Sequence, residues 1–213
     1  MNFATLKQQV AFYLRTDTPE VSSQIPVWIN QAQLAICTSA RWRWTVVVDT
    51  VTVTPASGVG PYTTSKDIVF MAKVPATSGV FTLDPVQYDQ RVFYLSLPPG
   101  APVAYSQVPG QLRSIEVYPT PDTTYQVRLA YHTRLPDLVS DAEENYLTTL
   151  FPESVVAYAV WKGLEWLGDV EVAGTWARIF QVELNRMLKH DGEVNLSASF
   201  DTIGMTRPRR EAE

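Results

Sequence analysis

Two histidines, one cysteine and a few carboxylates are the side chains that could do chemistry in this chain of 213 residues. His132 and His190 lie far apart, with no cysteine or carboxylate near either at metal-ligand spacing. His132 follows a predicted strand, where a surface residue is expected. His190 falls in the last turn of a predicted helix, where the helix dipole favours a cation. Cys37 sits within an amphipathic pattern and reads as a small packed hydrophobe. As a nucleophile it would need a histidine partner. Asp141, Glu143 and Glu144 are paired carboxylates, and at a predicted helix start they complement the dipole. Gly58 and Gly60 fall in a turn rather than between a strand and a helix, so no dinucleotide loop is formed. No serine stands in a nucleophile-elbow motif. The residues thus predict no catalytic, cofactor or metal site. A glycosidase with two ordinary carboxylates would leave no such trace.

Other residues could bind rather than react. Arg207, Arg209 and Arg210 could grip phosphate, although Glu211 and Glu213 follow them. The aromatics, including 6 Trp and 10 Tyr, invite a carbohydrate-binding reading. Trp161, Trp166 and Trp176 fall on predicted helices, however, and most tyrosines of the middle region suit packing roles.

Composition narrows the class. Hydrophobic residues make up 46% and charged residues 18%, against about 25% charged in an average globular chain, which excludes a disordered protein. A net charge of −5 argues against general nucleic-acid binding. The single cysteine allows no internal disulfide. No signal peptide or membrane-spanning run is expected.

Proline locates the elements that must position these residues. Eleven of the 15 prolines lie between Pro55 and Pro136. Proline gathers in turns and at strand edges, so a β-rich centre between helical ends is predicted. Phe3, Leu6, Val10, Tyr13 and Leu14 follow helical spacing. Ser22 or Ser23 offers a cap for a second helix, with Pro26 in its first turn and Ile25, Trp28 or Ile29, Ala32 and Ile36 buried. Strands are predicted over 45–54, 68–74, 79–83, 92–97, 114–118 and 125–131, the last by strict alternation. About six short strands suggest a sandwich or barrel. A capping box at Ser140 to Glu143 allows a short helix or turn. Pro152 opens a helix with Val156, Val160, Leu164 and Leu167 in a stripe, ended by Gly168. Another runs from about Val170 to His190, with Trp176, Ile179, Phe180, Leu184, Met187 and Leu188 apolar, and stops at Asp191-Gly192.

The fold class expected is α+β. Helices from both termini form a bundle (1–44 and 136–191), an antiparallel sandwich or barrel-like β-domain is inserted at 45–135, and an extended tail covers 192–213. That tail has isolated apolar residues and cannot build a core alone.

Three stretches carry a resemblance to a known family. They are Ile25-Pro26-Val27-Trp28-Ile29-Asn30-Gln31-Ala32-Gln33 leading to Trp42-Arg43-Trp44; Tyr131 to Asp141; and Asn145-Tyr146-Leu147 followed by Phe151-Pro152-Glu153 and an Ala-containing amphipathic helix. Their order resembles the head-to-tail adaptor (connector or head-completion) proteins of tailed bacteriophages, in particular the short-tailed type. The resemblance implies a virion protein without enzymatic activity. It implies a ring, commonly of twelve copies, beneath the portal, extending the DNA channel and docking the next tail or nozzle protein. DNA would pass through the lumen without specific binding, and no membrane or cofactor is involved. Phe200, Ile203, Met205, Arg207, Arg209 and Arg210 are the expected portal contacts. Alternatives are another neck or tail ring, such as a terminator or tail tube, or a carbohydrate-binding or hydrolytic protein acting on the host envelope.

Overall fold

A computed structural model describes residues 1–15, 18–72 and 81–202, without the side chains of 81–82 and 193–202. By its packing the chain divides into two compact units: Met1–Ala32 together with Leu138 onward, and Gln33–Asp137. The first is helical and the second is mostly β.

In the helical unit, α1 (Phe3–Leu14) begins where the Asn2 side chain accepts from Thr5 N–H at 2.9 Å. Phe3, Leu6, Val10 and Leu14 form its buried face. α2 (Pro19–Ser39) starts earlier than the serine caps suggested, at Pro19. Pro19 pre-sets a helical φ at the first position, and Ser22 N–H already donates to Thr18 O. Pro26 therefore lies inside the helix. The helix continues through it because Val21, Ile25, Ile29, Ala32 and Ile36 bury one unbroken face.

α4 (Tyr146–Leu150) is capped by Asn145, and the box at Ser140 makes the turn rather than a helix, with Glu143 N–H donating to Ser140 O and Ser140 N–H donating to Glu143 Oε2. α5 (Pro152–Leu167) has proline at its first turn. It ends at Gly168, whose φ of 85° is the left-handed conformation that glycine adopts without cost. Val155, Val156, Ala159, Val160 and Leu164 are buried along it. α6 (Val170–Thr202) buries Ala173, Phe180, Leu184 and Met187. It runs on through Asp191-Gly192, where a stop and an extended segment were expected. One glycine costs a helix only about 1 kcal/mol relative to alanine, and no proline follows before Pro208. His190 is accordingly inside the helix, its ring 5.3 Å from that of Phe151.

Gly163 shows how closely α5 packs. A Cβ there would lie 2.8 Å from both methyls of Leu14 and 3.0 Å from Trp28 Cζ3.

The β unit has two four-stranded sheets. The first contains β1 (Val46–Val53), β3 (Phe70–Ala72), β4 (Phe81–Thr82) and β8 (Tyr125–His132), with β8 between β1 and β3. The second is β2 (Tyr62–Thr63), β7 (Ser114–Tyr118), β6 (Ala104–Gln107) and β5 (Asp84–Pro85), in that order. β1 pairs antiparallel with β8 from Val46 opposite His132 to Val53 opposite Tyr125. One core joins both sheets: Val51, Val53, Val127, Leu129 and Tyr131 from the first meet Tyr62, Tyr105, Ile115 and Val117 from the second.

Two pairings are parallel, β4 with β8 and β5 with β6, so the sheets are mixed. The strand expected over 92–97 is instead a helix, α3 (Arg91–Leu95). A capping box between Gln87 and Gln90 turns the chain into it. Arg91 then anchors it to Glu116 on β7 at 3.1 Å, so Val92 and Phe93 point to solvent rather than into a ladder.

Candidate functional site

The groups with chemical potential are used for structure. His132 is buried, not at the surface. Its Nδ1 lies 3.0 Å from Thr45 Oγ1 and 3.0 Å from Trp42 O, which ties the end of β8 to the start of β1. Alternation along β8 puts its side chain on the face opposite that of Tyr131, and its contacts with Thr45 and Trp42 bury it there. Burial pushes the Cys37 thiol up, against the lowering pull of the Leu135 backbone and of Arg134, so the thiolate a nucleophile needs is disfavoured. Among the described residues no group of His, Cys, Asp and Glu could hold a metal ion.

The three carboxylates of 141–144 bind the helical unit together. Asp141 accepts from Lys7 Nζ at 2.5 Å. Glu143 Oε2 accepts from Val139 and Ser140 N–H, and Glu144 stands 3.9 Å from the Met1 amine. Phe3 and Ala4 N–H, at the start of α1, donate to the carbonyls of Glu143 and Asp141.

Two clusters of the β unit escaped the sequence reading. Asp67 accepts from Arg113 Nε at 2.6 Å and from Arg134 Nε at 3.0 Å. The Arg113 hydrogen bond, joined by that of Arg134, holds the Asp67 carboxyl below its usual range. A cleft of about 340 Å³ opens beside it, bordered also by Lys66 and Asp137. Three cations face two carboxylates, and both guanidinia already grip Asp67, so the cleft reads as a clasp between three loop segments. In the second cluster, Arg91 donates to Tyr88 and to Glu116, Tyr118 OH donates to Glu116 Oε2, and Ser106 Oγ lies 2.9 Å from Tyr118 OH. Burial, with Glu116 beside it, pushes the Tyr118 phenol up. No local motif signals either cluster, because partners 46 and 67 residues from Asp67 meet only through the fold.

The exposed surface also carries large apolar groups. Phe12 is 75% exposed, at a groove of about 510 Å³ whose walls include Tyr13, Leu164 and Trp176. Phe93 is 74% and Val92 69% exposed on α3. Monomeric soluble proteins seldom leave clustered large apolar groups uncovered, and such groups mark contact surfaces. Among the described residues no helix is long and apolar enough to cross a membrane.

Of the expected portal contacts, Phe200 falls on α6 but its side chain is outside the described residues. Ile203, Met205, Arg207, Arg209 and Arg210 lie wholly outside them.

A search of curated proteins finds no match to the sequence. A family model described as SU10 adaptor protein matches residues 1–202, nearly the whole chain. This α+β chain, helical at both ends and with large apolar groups exposed, therefore belongs to that family of phage head-to-tail adaptors, which act at the junction of portal and tail.

Proposed function

We propose that copies of this chain close into a ring beneath the portal, extend the channel through which DNA leaves, and offer the opposite face to the next tail component. The chain does this as a structural part, without catalysis, and twelve copies is the number the family resemblance suggests. The observation that carries the reading is the pair of open apolar surfaces, one around Phe12 and Trp176, the other at Val92 and Phe93. A cyclic ring needs two different surfaces on each subunit, because its contacts are heterologous. A chain with few charged side chains suits a subunit whose sides are covered by neighbours. A net charge of −5 suits a channel that must release its cargo, since phosphate contacts accumulate.

The distal tail takes the portal-facing role in this proposal, with Phe200, Ile203 and Met205 as apolar anchors and Arg207, Arg209 and Arg210 pairing with acidic partner groups. Mass photometry of the full chain mixed with purified portal tests both parts. Growth of the portal by a multiple of 23.9 kDa is expected. Phe12→Asp and Phe93→Asp should block ring closure. Replacing the three arginines by alanine should weaken capture by portal. A chain that stays monomeric and never joins portal would refute the reading.

A further inference from the structure

Among the described residues β1 has an open edge. Hydrogen-bonded and non-hydrogen-bonded pairs alternate along an antiparallel ladder, and Thr133 N–H donates to Thr45 O at 2.9 Å. By that alternation Val47, Asp49, Val51 and Val53 exchange their backbone bonds with β8. The N–H and C=O groups of Val46, Val48, Thr50 and Thr52 therefore face the other way, and among the described residues no strand pairs with them. Seven of the eight residues of β1 are valine or threonine, the composition that pairs most readily. Val46 and Val48 are also exposed on the outer face. Such an edge is a template for a second copy of itself.

The register of that pairing follows from the sequence. Laid antiparallel on the edge, a second copy places all four outward residues opposite outward residues of its own in one register only. Val46 then pairs with Thr52 of the second copy, and Val48 with its Thr50. The two-fold axis of this arrangement passes through Asp49. Two Asp49 carboxylates would stand directly opposite each other in a non-hydrogen-bonded pair, where side chains come closest.

Asp49 is held for this position. Its Oδ2 accepts from Ser65 N–H at 2.7 Å and from Tyr131 OH at 3.1 Å. Its Oδ1 accepts from Thr50 N–H at 3.0 Å, occupying one of the four outward donors. We propose that Asp49 is the guard of the β1 edge, keeping two copies of this chain from joining strand to strand and leaving the molecule's other surfaces to direct assembly.

Sedimentation velocity with hydrogen exchange at the Val48 and Thr52 amides tests this on the full chain. Asp49→Asn should self-associate at a concentration about two- to fivefold below wild type, as loss of a like-charge cross-strand pair predicts, with both amides becoming protected. Adding Thr52→Pro, which removes an outward N–H without touching the β8 ladder, should reverse it. Asp49→Lys loses the same carboxylate but should stay apart, since lysine repels lysine. An equal mixture of Asp49→Lys with wild type should associate, because the facing charges are then opposite. If Asp49→Asn fails to fold, the wild-type chain at raised ionic strength decides the matter, since screening the two facing carboxylates should promote association with Val48 and Thr52 protected, and no change would count against the guard. No association in the mixture, or association with Val48 and Thr52 exchange unchanged, would overturn the proposal.

Discussion

Gly163 gives the sharpest test of how the helical unit is packed. Replacing a mid-helix glycine by alanine ordinarily stabilises a helix by about 1 kcal/mol. At Gly163 the added methyl would lie 2.8 Å from both Leu14 methyls and 3.0 Å from Trp28 Cζ3. Carbon atoms rest comfortably at about 3.5–4.0 Å, so the overlap is a large fraction of an ångström on two sides. Relief on that side means re-seating the two terminal methyls of Leu14, a residue that is otherwise buried. Trp28 is flat and rigid. Overpacking of this kind costs about 1–3 kcal/mol, which outweighs the propensity gain and leaves a net loss of about 1 kcal/mol. Gly174 on α6 is the control. A Cβ there meets nothing within 4 Å, so Gly174→Ala should gain up to about 1 kcal/mol. Urea unfolding followed by far-ultraviolet circular dichroism should therefore separate the two variants by about 2 kcal/mol, with opposite signs around wild type. If Gly163→Ala is as stable as Gly174→Ala, the close approach of α5 to Leu14 and Trp28 is wrong.

Two further outcomes follow from the β unit. Asp67 has a lowered folded pKa, so its contribution is present above the unfolded carboxylate value of about 3.9 and is lost as pH falls through the folded value. Asp67→Asn should thus cost about 1 kcal/mol at neutral pH, a figure reduced for the solvent around both arginines, and the difference from wild type should vanish in denaturation series taken well below pH 4. Trp42 Nε1 and Ser39 Oγ both donate to Ile36 O, at 2.6 and 2.8 Å. Trp42→Phe alone should cost about 1–2 kcal/mol, and the double change with Ser39→Ala should exceed the sum of the single changes by about 1 kcal/mol in a double-mutant cycle, because the carbonyl then loses both donors.

The elements most legible in the sequence are those with long, local patterns. The α5 stripe of Val156, Val160 and Leu164, though not its last member Leu167, which is exposed, and the alternation from Tyr125 to Tyr131 needed no knowledge of neighbours. Short strands were not legible: β2, β5 and β6 are held by pairing across the chain, with little pattern of their own. Val92 to Leu97 misled because apolar residues there look inward-facing by type, whereas the Arg91–Glu116 anchor turns them outward. His132 was read by its position after a strand, while its partners Thr45 and Trp42 lie 87 and 90 residues away. The surfaces that support the functional reading were the least visible. Tyr13 was expected on the buried stripe of α1, and only the folded unit shows it exposed beside Phe12. Asp49 is one charge in a valine-rich run, and its meaning depends on knowing which edge of the sheet is open.

Asn30 bears on how the chain finds its fold. Its side-chain amide donates to Leu138 O at 3.1 Å and accepts from Leu138 N–H at 2.9 Å, closing a span of 108 residues. For a flexible chain of that length, the length-dependent part of bringing the ends together is about 4 kcal/mol. If the intervening segment is already folded, most of that entropy has been surrendered within it. The clasp then closes a short gap rather than a long loop. The order of events this favours has the β unit condensing first, and the helices of the two chain ends meeting afterwards.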